Sequence, residues 1–147
     1  MSDEQSLLHR DDLGFLLAKA SQRWNELLAD RFAAAGYADV RPSYGSILVP
    51  LYEEDGRRMG DIARAARLSK QTLTTMVRLL ERDGLVERRP DPADGRATRV
   101  HLAARGQAFR PVAEQALAEV EQLARAALAP ESVDRARATL RALATLR

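Results

Sequence analysis

A chain of 147 residues, 46% of them hydrophobic, can bury one sizeable core, and its length argues for a single domain spanning 1–147. It has no cysteine, which excludes disulfide frameworks, cysteine-ligated zinc or iron–sulfur centres and thiol-based redox sensing. The formal net charge is only +2, yet residues 57–110 hold thirteen basic and six acidic side chains, a net of +7 that leaves −5 elsewhere, so the positive charge is gathered in one middle segment.

The first twelve residues are polar and acidic, without the basic patch and apolar run of a leader, and no apolar stretch approaches a membrane span; a soluble, cytoplasmic protein is expected. From Leu13 the residues Leu16, Leu17, Ala20, Trp24, Leu27 and Leu28 recur at helical spacing, with Asp11 or Asp12 as N-cap and Gly36 as a stop. After Arg41 and Pro42, the residues Tyr44, Ile47, Leu48 and Leu51 mark a second helix ending by Gly56, which Pro50 is expected to kink or shorten. A short helix from Met59 to about Arg67 turns inward Ile62, Ala63 and Ala66, and Leu68 and Ser69 lead into a helix from Lys70 to Arg82 that Ser69 caps. Asp83-Gly84 stops it. The alternating runs Leu85 to Arg88 and Arg96 to Leu102, joined by the turn Asp91-Pro92-Ala93-Asp94-Gly95, form a hairpin with a charged tip. The remainder is helical and alanine-rich: Phe109, Val112, Ala116, Val120, Leu123 and Ala127 make one stripe, Pro111 is placed to bend it, and Pro130 opens a last helix. The fold class is mainly α with a small β-hairpin wing.

A short helix, tight turn, capped helix and basic hairpin are the organisation of a winged helix-turn-helix. The run from Ser69 to Arg82 puts Leu73, Met76, Val77 and Leu80 on one side and Gln71, Thr75, Arg78 and Arg82 on the other, flanked by Thr72 and Thr74. Gln bonds bidentately to adenine, Thr offers a hydroxyl and a methyl, and Arg reaches guanine or phosphate, so that side carries the chemistry to read a major groove. Taken alone it more often describes the solvated face of an amphipathic helix; its context favours reading. Lys70, at the helix N-terminus, is placed against phosphate. In the hairpin Arg96 sits at the tip with Arg88, Arg89 and Arg99 nearby. It either enters a narrow minor groove or pairs with Asp94 and stiffens the turn.

These residues carry a family resemblance. Ile62-Ala63, Ser69-Lys70-Gln71-Thr72, Leu80-Glu81-Arg82-Asp83-Gly84-Leu85-Val86 with Arg88, and Asp94, Arg96, Val100 and Leu102 are similar to the winged-helix pattern of the MarR family of bacterial regulators, which the stretch from Met59 to Gly106 resembles. The chain departs from that pattern at Ala103, where the family usually places a threonine able to cap the next helix. The resemblance implies a winged helix-turn-helix core over about 41–103 and dimerisation helices over about 11–35 and 104–147. It further implies a cytoplasmic, nucleoid-associated repressor released by a small-molecule ligand, with double-stranded DNA, a pseudo-palindromic operator, as partner. The implied DNA contacts are Ser69, Lys70, Gln71, Thr72, Thr74, Thr75, Arg78, Arg96 and Arg99, with Asp94 stabilising the wing. Two long helices rich in alanine and leucine also suit a homodimer, although an intramolecular bundle would use them as well. Many relatives respond to small aromatic compounds, and the missing cysteine excludes the peroxide sensing that some use. Trp24, Tyr44 and Tyr52 are the candidates to line a ligand cleft, set against the commoner role of aromatic residues as plain core.

Enzyme chemistry has little to stand on. The only histidines are His9 and His101, there is no Gly-x-Ser-x-Gly elbow or phosphate-binding Gly-Lys-Ser/Thr loop, and Glu53-Glu54 sits at a helix end without partner chemistry. No cofactor or metal is expected. Use of the winged helix for protein contact would call for exposed aromatics and leucines where Gln71, Thr75 and Arg78 stand.

Overall fold

The computed structural model describes residues 10–147; the polar segment before Arg10, and His9 with it, lies outside them. The element order is α1 (Leu13–Ala34), a 3-10 turn (Pro42–Tyr44), α2 (Gly45–Glu53), β1 (Arg57–Arg58), α3 (Met59–Ala66), α4 (Lys70–Arg82), β2 (Val86–Pro90), β3 (Thr98–Leu102), α5 (Ala104–Leu128) and α6 (Pro130–Leu143). Helices dominate, and the three strands form an antiparallel sheet in the order β1-β3-β2.

Local chemistry explains most boundaries. Asp12 caps α1 by accepting from the backbone N–H groups of Gly14 and Phe15, and Ser69 caps α4 by accepting from that of Thr72 at 3.1 Å. The turn between α3 and α4 has no glycine: Arg67 takes the left-handed conformation, and the Leu68 N–H closes onto the Ala63 carbonyl at 3.0 Å. Gly84, with φ +72, supplies the same turn after α4, where Leu85 N–H bonds the Leu80 carbonyl at 2.9 Å.

One expectation is revised. The hairpin strands lie further along, at Val86–Pro90 and Thr98–Leu102, because the Leu85 N–H is drawn into the α4 turn, and β1 joins as a third strand that its two residues are too short to announce. Pro50 does not end α2 and Pro111 does not end α5; each proline lacks the donor that Ser46 or Gln107 would have used four residues earlier, and both of those residues are exposed, so water can serve their carbonyls. Ala103 starts α5 without a side-chain cap; its own N–H is satisfied instead by the Leu85 carbonyl at 2.9 Å.

The core is continuous. Ile47, Leu48 and Leu51 from α2 meet Ile62 from α3, Leu73, Val77 and Leu80 from α4, and Leu85, Val86 and Val100 at the wing's base. Each such side chain contributes about 1.5–3 kcal/mol by leaving water. Leu28 and Phe32 of α1 pack with Phe109, Ala116 and Val120 of α5, with Phe32 and Phe109 edge to face at 4.9 Å. The apolar stripe of α1 extends beyond this contact, leaving Leu13, Phe15, Leu16, Leu17 and Trp24 exposed, as are Leu123 and Leu128 of α5 and Leu140 of α6. The periodicity of α1 reports an apolar face correctly, but within one chain only its C-terminal half is covered.

Candidate nucleic-acid interface

α4 presents Gln71, Thr72, Thr75, Arg78 and Arg82 to solvent while Leu73, Val77 and Leu80 fasten it to the core. Ser69 Oγ donates to Thr72 Oγ1 at 2.9 Å while accepting the Thr72 N–H, so both residues belong to the cap. Thr74 and Thr75 donate their hydroxyls back to the carbonyls of Lys70 and Gln71 at 2.8 and 3.0 Å, which fixes each rotamer and leaves the hydroxyl oxygen free to accept. Thr74 is half-buried, facing a recess of about 520 Å³ between α3, α4 and the wing, whose walls carry Arg58, Arg64, Lys70, Arg88 and Arg96.

The ion pairs sort the basic residues of this region. Arg57 pairs with Glu53, Arg64 with Asp61, Arg82 with Asp83, Arg88 with Glu81, Arg89 with Glu87, Arg105 with Asp39 and Arg110 with Glu114, while Arg58 and Arg99 share Asp91. Arg67 donates to the carbonyl of Ala144. Among the described residues, the side chains left in this segment without a hydrogen-bonding or ionic partner are Lys70, Arg78 and Arg96. All three lie on the α4 and wing face. A cation already paired must exchange one anion for another, whereas these three have only water to lose.

Within the wing, Asp94 Oδ1 accepts the backbone N–H of Arg96 at 3.0 Å, shaping the tip through the main chain and leaving the Arg96 guanidinium unpaired. Arg99, expected beside Arg96 as a DNA contact, is turned to other use: its Nε lies 3.2 Å from Asp91 Oδ2, and its Nη1 donates to the Gly56 carbonyl at 2.8 Å. Asp91 is the residue that sequence reasoning missed. Its side chain is 1% exposed, Oδ2 also lies 2.7 Å from Arg58 Nε, and Oδ1 accepts the Ala93 N–H at 2.9 Å. That backbone bond, seconded by the arginines, holds the carboxyl below the usual range. One buried carboxylate thus ties β1 and β3 to the turn that carries the tip. The available signal was an acid between two prolines in an otherwise basic hairpin, which reads from sequence only as a turn.

The aromatic candidates separate. Tyr44 is 1% exposed and its hydroxyl donates to Asp83 Oδ2 at 3.0 Å; burial first, then that bond, raises its pKa. Trp24 lies on α1 in a groove shared with Val133, Ala136 and Leu140 of α6. Tyr52 lines a cleft of about 350 Å³ between the α1–α5 pair and the 3-10 turn with α2, where Leu28, Phe32, Leu48, Val49, Phe109 and Leu117 form apolar walls. The Tyr52 hydroxyl donates to the Gly106 carbonyl at 2.6 Å, and burial pushes its pKa to about 12, so it stays a neutral donor. Arg41 and Arg110 stand at the cleft's rim, Arg110 also 5.4 Å from the Tyr52 ring centre. Among the described residues no helix is long and apolar enough to cross a membrane, and no group of acidic or histidine side chains is arranged to hold a metal ion.

Comparison with known proteins agrees with this geometry. No curated protein matches the chain in sequence. In structure it is similar to a probable transcriptional regulator from Pseudomonas aeruginosa (28% identity, TM-score 0.78, covering 90% of this chain and 97% of that one). It is likewise similar to the transcriptional repressor CouR bound to a 23-mer DNA duplex (25% identity, TM-score 0.79, covering 95% and 99%). The PcaV transcriptional regulator from Streptomyces coelicolor, solved with its natural ligand, shares the fold at 22% identity and TM-score 0.78, over 95% of this chain and 94% of that one. Residues 42–98, from the 3-10 turn to the start of β3, match the model of the MarR family, and the likeness in fold extends over nearly the whole chain. Over residues 42–98 the chain resembles the MarR family, and its whole fold is that of the transcriptional regulators named above.

Proposed function

We propose that this chain is a sequence-specific DNA-binding transcriptional regulator that works as a homodimer, with α4 in the major groove and the wing tip in the adjacent minor groove. The observation that carries the reading is that Lys70, Arg78 and Arg96, the unpaired cations of the basic segment, share one face with Gln71 and Thr75. Charge without acid partners beside amide and hydroxyl groups is what combined phosphate anchoring and base reading require. The DNA-bound CouR, similar over nearly its full length, supports the same assignment.

Dimerisation rests on the apolar residues that α1, α5 and α6 leave exposed, among them Phe15, Leu16, Leu128 and Leu140. A two-fold dimer reads two half-sites whose centres lie about 10 base pairs apart, hence a pseudo-palindrome. Repression relieved by a small aromatic effector is the finer part of the reading. The cleft beside Tyr52 has the size and apolar lining of a small-molecule site, with Arg41 free of any ionic partner at its rim.

Selection from a randomised duplex library, followed by affinity measurement at two salt concentrations, tests the proposal. One enriched, pseudo-palindromic sequence bound far more tightly than random duplex is expected. Equal affinity for all duplexes, or none, would overturn it. Light scattering should give a dimer that deletion of the segment after Pro130 weakens together with DNA affinity. A micromolar monomer that still binds its operator would remove the dimer from the reading.

A further inference from the structure

No residue of α6 is buried, and a groove of about 520 Å³ separates its Val133, Ala136 and Leu140 from Leu17 and Trp24 of α1. What holds α6 is polar. Arg125 of α5 bonds Asp134 at 2.8 Å and reaches the Pro130 carbonyl at 3.4 Å, and Arg137 pairs with Glu121 of α5. At the other end, the carbonyl of Ala144 is one of the last-turn groups that no helical N–H can serve; it accepts Nη1 of Arg67, from the turn between α3 and α4.

Backbone strain marks both ends of α6. Among the described residues, the non-glycine residues with positive φ are Arg67, at 54°, and Ala129, at 71°. Ala129 is the single residue between α5 and α6, and its ψ of 147° puts it near conformations that glycine alone adopts freely. Arg67 closes α3 in the left-handed region, the task that Gly84 performs after α4 without steric conflict. Glycine would make the Arg67 turn with less strain, so what an arginine adds there is its side chain, and the partner of that side chain is the end of α6.

We infer that α6 is a strut and Arg67 the positioning residue at its foot, which together fix the distance between the two reading helices of the dimer and hence the half-site spacing that the protein accepts. The inference rests on the reading of the chain as a dimer with α4 in the major groove. The C-terminal end of α4 is fastened separately, where the Asp83 carbonyl accepts Arg105 Nη1 at 2.7 Å. A helix held at one end pivots; held near both ends, it keeps its line. Arg67 stands three residues before Lys70, so its bond to Ala144 is a hold on the reading end, and α6, about 21 Å long, carries that hold back to the end of α5. Inserting one base pair between the half-sites moves their centres apart by about 3.4 Å and turns them by about 35°, which two-fold symmetry shares equally between the protomers. Each reading end must then shift by about 1.7 Å, enough to take a hydrogen bond of ordinary length past its limit of about 3.5 Å. A dimer with both struts tied loses two bonds on such a site, whereas a dimer without Arg67 has none to lose.

The test measures affinity for the duplex found by selection and for derivatives with the half-sites one base pair closer together or further apart. Wild type, Arg67→Gly, a chain ending at Leu143 and the two changes combined are compared, with thermal stability and a salt series alongside. Wild type is expected to bind either derivative about tenfold more weakly or worse, which two lost bonds from a charged donor suffice to produce. Arg67→Gly is expected to bind the selected duplex within about threefold of wild type and to lose less than about threefold on the derivatives, with stability unchanged or raised because glycine relieves the backbone. The chain ending at Leu143 lacks the acceptor, so it should show the same tolerance of spacing, and the combination no more of it. It also keeps Arg67, and so gives the answer should Arg67→Gly fail to fold. A wild type indifferent to spacing, or an Arg67→Gly variant that keeps the wild-type ratio between duplexes, would overturn the inference while leaving the DNA reading intact. So would a uniform loss on all three duplexes with the salt slope reduced by about 1, the mark of Arg67 resting on a phosphate. A wild-type protein with no preferred duplex would remove the DNA reading, and this inference with it.

Discussion

Arg96→Ala separates a side chain that reads DNA from one that braces the protein. In the free protein its guanidinium has no partner among the described residues, and its backbone N–H, which Asp94 holds at 3.0 Å, is untouched by the substitution. Truncation therefore breaks no intramolecular bond, and stability should stay within about 0.5 kcal/mol, a melting-temperature change of about 1–2 °C for a chain of this length. Operator affinity should fall by about 1–3 kcal/mol, roughly 5- to 150-fold, and most steeply where A·T tracts flank the site and narrow the minor groove. Asp94→Ala removes one acceptor from an exposed N–H that water can serve, so its cost should not exceed about 1 kcal/mol. Fluorescence anisotropy on operators with A·T-rich and G·C-rich flanks, run as a double-mutant cycle, measures both. Equal losses for the two variants, indifferent to the flanks, would refute minor-groove insertion by Arg96.

The other expectations address reading, packing and acid. Gln71→Ala and Thr75→Ala should relax base preference, whereas Lys70→Ala should weaken every duplex alike and reduce the salt slope by about 1, checked by titrations across a salt series. Gly106→Ala should destabilise: a Cβ there would lie 2.1 Å from the Leu85 carbonyl oxygen, so the gain of about 1 kcal/mol in helix propensity is outweighed by the shift forced between α5 and the strand entry. A net loss of about 1–3 kcal/mol, or a melting temperature lower by about 3–10 °C, is expected by calorimetry. Asp39, Asp91, Glu119 and Asp134 all sit below their ordinary values, Asp39 through its bond to Arg105, Asp91 through the Ala93 N–H, Glu119 through Gln115 and Asp134 through Arg125. Below about pH 5 the unfolded chain therefore takes up protons before the native one, so stability should be full near neutrality and fall progressively with acid through the native values. In acid unfolding series, Asp39→Asn should flatten the slope; an unchanged slope would assign the acid sensitivity to the other carboxylates.

Sequence by itself determined the order of the helices, the two faces of α4 and the presence of the wing after it, because those features are local. Ser69 caps by reaching three residues along, Gly84 turns on its own φ, and the helical repeat that sends Leu73, Val77 and Leu80 inward must send Gln71, Thr75 and Arg78 outward. The family pattern over the same residues rests on the same locality. Only the tertiary structure decided which charges are spent inside the protein. Asp91 meets Arg58 across more than thirty residues, Arg99 reaches the Gly56 carbonyl, and Tyr44 and Arg105, from the turn before α2 and the start of α5, converge on Asp83. Alternation along a strand says which way Arg99 leaves the backbone, but not that a buried carboxylate waits there. It equally cannot tell Tyr44, locked in the core, from Tyr52, eight residues on and lining the cleft. An ionic or hydrogen-bonding partner is fixed by position in space, and for groups far apart in the chain that position exists only once the core has closed.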